Sequence, residues 1–318
     1  MQNNQMAQET RDPSEEKLQK LAERVSPGSR VVRWRSMTGG SSAEMTAIEL
    51  RRGDGASQTI LLRRCGAANL EADPHTAATE HRLLKALHAR GLPVPEPLHL
   101  DESRTLFEKP FLIIAFLEGE PDYAPADPLD AARQMAVFLA GLHRIDPDDA
   151  DLAFVARPEE GPGYLEITRD VLPAAFGPAF DALQQRWPPA GNNGARLLHG
   201  DLWPGNLLWV EGRLTAVVDW EDATVGDPLA DVAIARTDLS WSFGFEAVDR
   251  FTQTYAALTG FDLSALPLWD LRATLRQAPH AADYAEGWQE LGRPDVTETL
   301  IHTCHARIVA RARDALQT

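Results

Sequence analysis

The chain has 318 residues, of which 44% are hydrophobic and 25% charged, a composition that fits an ordinary globular protein with one large or two medium domains. Its formal net charge of −16 argues against nucleic acid or an anionic membrane surface as the main partner. Cys65 and Cys304 match no metal-ligand spacing and read as reduced thiols, the polar start has no apolar signal core, and the longest apolar run, Phe111 to Leu117, is too short for a bilayer, so a cytoplasmic location is expected.

In chain order, Glu15 to Val25 carries a helical period through Leu18, Leu21, Ala22 and Val25, stopped by Pro27-Gly28. Short strands are expected at Val31 to Trp34 and Met45 to Arg51, flanking Gly39-Gly40-Ser41-Ser42. A third, Thr59 to Arg64, follows the Asp54-Gly55 turn. A helix is predicted from Thr76 to Ala89, closed by Gly91 and Pro93. Leu83, Leu84 and Leu87 lie three, four and seven residues after Glu80, which puts that carboxylate on the buried side, where it needs a cationic partner. Phe111 to Leu117 reads as a buried strand and Gly119 to Pro128 as a connector. Beyond it helices are expected over about 129–144, 168–187, 228–238, 244–259, 267–290 and 295–316. The 197–219 segment stands apart as short strands and loops. A strand-rich first third followed by a helix-rich remainder predicts a two-lobed α+β protein, with lobes at 1–117 and 118–318.

That exceptional segment carries the chemistry. His199-Gly200-Asp201-Leu202-Trp203-Pro204-Gly205-Asn206 is an H-x-D-L-x-x-x-N loop, and Asp219, within Val217-Val218-Asp219-Trp220-Glu221, follows Asp201 by 18 positions. The pairing is the catalytic half of a kinase-type phosphoryl-transfer site. A hydroxyl attacking a γ-phosphate needs its proton accepted and its lone pair aimed, and the Asp201 carboxylate does both. Asn206 and Asp219 offer hard oxygen ligands to Mg²⁺, and Glu221 is near enough to add another oxygen. Taken singly, each has a plainer account: a turn cap beside Pro204-Gly205, an Asn closing a turn, an Asp ending a strand, an exposed Glu. Downstream, Asp227-Pro228 is a helix N-cap with Pro at the first position, and Asp231 falls on the buried side beside Val232 and Ile234.

HGDLWPGN, then VVDWEDA, then GDPLADVA resembles the aminoglycoside phosphotransferase (APH-like) family of the protein-kinase-like superfamily, which also includes choline, homoserine and hydroxyacyl kinases. The match in motif order covers roughly residues 31–240. The resemblance implies a small N-terminal antiparallel-sheet lobe that binds nucleotide and a larger, mainly helical C-terminal lobe for catalysis and acceptor binding. It implies ATP, with GTP left open, and Mg²⁺ as cofactors. The expected activity is transfer of the γ-phosphate to a hydroxyl of a small molecule by a phosphotransferase with an alcohol acceptor. His199 would orient the catalytic loop by hydrogen bonding, and Asp231 would support its backbone.

On the nucleotide side no Lys lies between Lys20 and Lys85, so the family's phosphate-binding strand must use arginine. By that pattern Arg63 takes the place of the Lys, with Glu80 as its ion-pair partner; Arg64 is the other candidate. Gly39, Gly40, Ser41 and Ser42 fill the place of the phosphate-covering loop. Trp203 stands where kinases of Ser and Thr carry Lys, which points away from a protein kinase. Residues 118–160 hold eleven acidic side chains against three Arg, a balance of −8. An anionic cleft there would suit a cationic acceptor; a solvated acidic surface is the alternative. Antibiotic, amino alcohol, sugar and hydroxyacyl acceptors all stay open, as does oligomeric state. The competing reading is a nucleotide-binding pseudokinase or regulatory module.

Overall fold

The computed structural model describes residues 13–37, 43–158, 167–191 and 193–317, so the Gly39–Ser42 loop lies outside the described residues. The chain divides into two compact units, Met1–Leu117 and Glu118–Thr318.

The first unit opens with helix α1 (Glu15–Val25), N-capped by the Ser14 hydroxyl. Strands β1 (Arg30–Met37), β2 (Ala43–Arg51) and β3 (Ser57–Cys65) follow. Then come α2 (Ala67–Ala72), α3 (Thr76–Ala89), β4 (Pro97–Asp101) and β5 (Phe111–Ala115). The strands form one antiparallel sheet in the order β1-β2-β3-β5-β4. Strand β4 has no counterpart among the expected elements; Pro97, which cannot donate to a ladder, is accommodated because the strand lies at the sheet edge. Leu18, Leu21 and Ala22 of α1 pack against Ile48 and Leu50 of β2, Ile60 and Leu62 of β3, and Phe111 and Ile113 of β5. Strand alternation turns Leu61 and Arg63 to the opposite face, and there Arg63 meets Glu80 of α3.

The second unit begins with α4 (Pro128–Leu142), whose N-cap Asp127 accepts from the N–H groups of Leu129 and Asp130. Where one helix is expected over 168–187, two 3₁₀ turns, Arg169–Val171 and Ala174–Phe176, precede α5 (Gly177–Arg186). Pro173 and Pro178 withhold the backbone donors that a continuous helix requires. Two small antiparallel ribbons follow. Strand β6 (Arg196–Leu198) pairs with β9 (Thr224–Gly226), and β7 (Leu207–Val210) with β8 (Arg213–Val217). The chain ends in α6 (Leu229–Ser242), α7 (Phe245–Thr259), α8 (Leu266–Gln277), α9 (Ala281–Glu290) and α10 (Glu298–Ala315). The helix expected over 267–290 is broken by a 3₁₀ turn at Ala278–His280, again at a proline, Pro279. Helix α6 is buried on nearly every side by α7, α8 and α10, so its polar residues need internal partners. Among the described residues no helix is long and apolar enough to cross a membrane.

Candidate active site

Strand β6 delivers the chain into the His199–Asn206 loop, and Asp231 on α6 holds that loop by its backbone. The N–H of His199 donates to Asp231 Oδ2 (2.7 Å) and the N–H of Gly200 to Oδ1 (2.9 Å). His143 at the end of α4 adds its Nε2 to Asp231 Oδ2 at 3.2 Å. Burial pushes the Asp231 carboxyl up, but the hydrogen bond and charge of His143 and the His199 contacts outweigh it and hold it below the ordinary carboxylate range. Gly200 sits at φ +86°, where a Cβ would lie 2.3 Å from the carbonyl oxygen of Asp222. Only glycine fits.

His199 is fully buried against the Trp220 ring, with centroids 4.6 Å apart. Burial lowers its pKa and keeps the imidazole neutral. Its Nδ1 accepts from the Asp201 N–H (3.3 Å), so Nε2 carries the proton and donates to the carbonyl of Val218 (3.1 Å). Both nitrogens are therefore spent on backbone, and the ring ties the Asp201 loop to the residue before Asp219. That geometry would suit an orienting role.

Asn206 is buried and donates through Nδ2 to the backbone carbonyl of Asp201 (2.8 Å) and to its Oδ2 (3.1 Å). With Nδ2 committed, Oδ1 is the atom left to ligate a cation. The N–H of Val218 donates to the Asn206 carbonyl (2.9 Å), which brings the next residue, Asp219, to the same end of the β7–β8 ribbon. Asp219 takes a left-handed conformation, φ +63°, unusual for a residue with a side chain and tolerated best by Asp and Asn. Among the described residues, no group of three or more His, Cys, Asp or Glu is placed to hold a metal by itself. Asn206 and Asp219 could offer only part of a ligand set, as a Mg²⁺ ion that keeps several water or phosphate oxygens would require. Glu221 stands two residues further, beyond the buried Trp220.

Burial, and then the charge of Asp222, push the Asp201 carboxyl up to about 6, against the pull of the Asn206 hydrogen bond and of Arg276. Asp238 lies one heptad after Asp231 on α6 and is buried; burial, and then the Asp201 charge, raise it well above its ordinary value. Gln277 donates to it at 3.2 Å. Asp222, Asp238, Arg276 and Gln277 were not singled out from the sequence. The i, i+7 spacing from Asp231 is a signal that could have found Asp238, whereas nothing local marks the α8 residues.

Trp203 packs in a group of rings, 6.3 Å from Tyr123 and 6.0 Å from Trp288, and its indole lies over Gly205, where a Cβ would come within 2.2 Å. The acidic residues of 118–158 are mostly local: Asp127 caps α4, Asp130 pairs with Arg133, Asp146 holds the Asp148 N–H, and Asp148 pairs with Arg157.

In the first unit the Arg63–Glu80 ion pair is formed at 2.9 Å with both side chains nearly enclosed. Arg64 pairs instead with Glu44 at 2.8 Å and lies over the Phe107 ring.

Residues 42–297 match the sequence profile of the phosphotransferase enzyme family, APH. Acyl-CoA dehydrogenase family member 11 of Gallus gallus is 30% identical over 205 residues, 58% of this chain and 26% of that protein, so the match spans about a quarter of the relative's length. Homoserine kinase of Beijerinckia indica subsp. indica is 31% identical over 198 residues, covering 57% of this chain and 58% of that enzyme. Among solved structures, a thermostable variant of aminoglycoside phosphotransferase APH(4)-Ia, in ternary complex with AMP-PNP and hygromycin B, aligns with a TM-score of 0.61 at 18% identity, over 93% of this chain and 98% of the other. That likeness shows the fold, an α+β protein-kinase-like architecture. With its profile match reaching from β2 to the start of the last helix, the chain belongs to the phosphotransferase enzyme family.

Proposed function

We propose that the protein transfers the γ-phosphate of ATP to a hydroxyl of a small molecule, with Mg²⁺ as cofactor. The observation that carries this reading is the Asp201 constellation. A half-buried carboxylate with its pKa near 6 is fixed by Asn206, while its loop is fixed by His199 and Asp231. In the reaction the acceptor oxygen forms a bond to the γ-phosphorus, the bond to the ADP oxygen breaks, and the hydroxyl proton passes to Asp201. Asn206 Oδ1 and the Asp219 carboxylate would hold Mg²⁺, with Glu221 adding an oxygen directly or through water. Bound there, the ion would neutralise charge on the phosphate oxygens.

Arg63, held by Glu80, is the cation assigned to the nucleotide phosphates; its engagement with Glu80, where Arg64 engages Glu44, supports choosing it. The Gly39–Ser42 loop is assigned to cover them. The rings of Tyr123, Trp203 and Trp288 support an acceptor with an apolar or flat portion. The local use of acids in 118–158 weakens the case for a polycation. Relatives named homoserine kinase and acyl-CoA dehydrogenase place amino alcohols and hydroxyacyl thioesters in the test panel beside sugars, macrolides and aminoglycosides.

The test is ADP release from Mg·ATP, and GDP release from Mg·GTP, over that panel, with the phosphorylated product identified by mass spectrometry. At least one acceptor should give a product 80 Da heavier, dependent on Mg²⁺. Tight Mg·ATP binding with no product from any hydroxyl compound would favour the regulatory alternative.

A further inference from the structure

Within the second unit a cavity of about 350 Å³ opens where the end of α4 meets β6 and the end of α7. Its walls are His143, Arg144, Asp146, Arg196, Thr259 and Phe261. The volume suits a small ligand. The charge on the walls is cationic although the chain is strongly acidic. Arg144 donates to the carbonyl of Leu258 (2.6 Å) and Arg196 to that of Ala195 (2.9 Å), the latter also lying 5.2 Å over the Phe261 ring. Among the described residues neither guanidinium pairs with a carboxylate. Asp146, the one acid on the wall, already accepts from the N–H of Asp148 (3.0 Å). Two guanidiniums bonded only to neutral carbonyls are the donors that grip a carboxylate or phosphate, while the His143 ring and the Thr259 hydroxyl are already committed to Tyr255 and Asp231 and to the Tyr255 carbonyl.

The cavity is tied to the catalytic loop by two routes. Arg196 is on β6, three residues ahead of His199. His143 bonds Tyr255 through Nδ1 (2.6 Å) and Asp231 through Nε2 (3.2 Å), and Asp231 in turn holds the N–H groups of His199 and Gly200. A ligand on these walls would bear on both the strand and the carboxylate that set the position of Asp201.

We propose that this cavity is a binding site for a small anion bearing a carboxylate or phosphate group, and that its occupancy tightens the backbone of the His199–Asp201 loop. Calorimetric titration of the full chain with inorganic phosphate, and separately with succinate, tests binding; the tighter of the two identifies which anion class the site takes. Hydrogen exchange of the 196–201 peptide tests coupling. Saturable binding is expected, weakened at least about tenfold by Arg144→Ala and by Arg196→Ala, as loss of a charge-assisted contact predicts. The exposed position of Arg144 means its replacement should leave the fold intact, which circular dichroism checks. Exchange at the His199 and Gly200 amides should slow on binding to the wild type and not in the variants. Absence of saturable binding by either anion, unchanged affinity in a folded Arg144→Ala variant, or unchanged exchange in the bound protein would overturn the proposal.

Discussion

A carboxylate that takes a proton from an alcohol works best when its own pKa lies near the ambient pH, and the surroundings of Asp201 would suit it to the proposed role. Burial and the charge of Asp222 raise it to about 6, so at neutral pH it is mostly ionised and still a competent proton acceptor. In the metal-free protein, carboxylate NMR should find Asp201 titrating near 6, and Asp222→Asn should lower that value by removing the like charge. The same shift has a cost in stability. A folded-state pKa above the unfolded one contributes stability present at pH below about 4 and lost as the pH rises through 6. Asp201→Asn should therefore raise stability at pH 7 by up to about 3 kcal/mol, with the gain vanishing near pH 4, as measured by denaturant melts at both values. Trp203 shows where residue-level reading stops. Its position in the motif is visible in the sequence, but its packing over the Gly205 backbone depends on a ring orientation that only the folded loop sets.

At the level of elements, the Glu80 helix is the case in which periodicity and burial carried a prediction through. Leu83, Leu84 and Leu87 define the buried side of α3, Glu80 falls on it, and Arg63 from β3 meets it there. Glu80→Ala removes a buried carboxylate partner of the Arg63 guanidinium and should cost about 3–5 kcal/mol of stability. Thermal melts of the full chain measure it; an unchanged midpoint would mean Arg63 finds solvent or another partner. The helices broken at Pro173, Pro178 and Pro279 were less legible. Apolar period continues across each proline, so the pattern reads as one long helix while the missing donors divide it. β4 is hard to read from sequence in its own way, since a strand that opens on Pro97 fits only at a sheet edge, which the sequence does not show.

For the whole molecule, the motif order from β2 through α6 was readable because each motif is short and its partners lie close in sequence. The support around Asp201 was not. Asp238, Arg276 and Gln277 come to its surroundings from helices whose packing is set by the core of the second unit; the spacing from Asp231 hints at Asp238, and no local pattern announces Arg276 or Gln277. The same holds for His143, which stands 88 residues from the Asp231 it bonds. Assigning chemistry to the chain as a whole therefore rests on one residue. The most direct measurement is transfer of γ-³²P from Mg·ATP to an acceptor that the wild type uses, compared in wild type and Asp201→Asn, with nucleotide affinity followed in parallel. The account predicts a loss of at least about a hundredfold in kcat, the scale of removing a general base, with nucleotide binding changed by less than about threefold. Undiminished transfer by Asp201→Asn would contradict it.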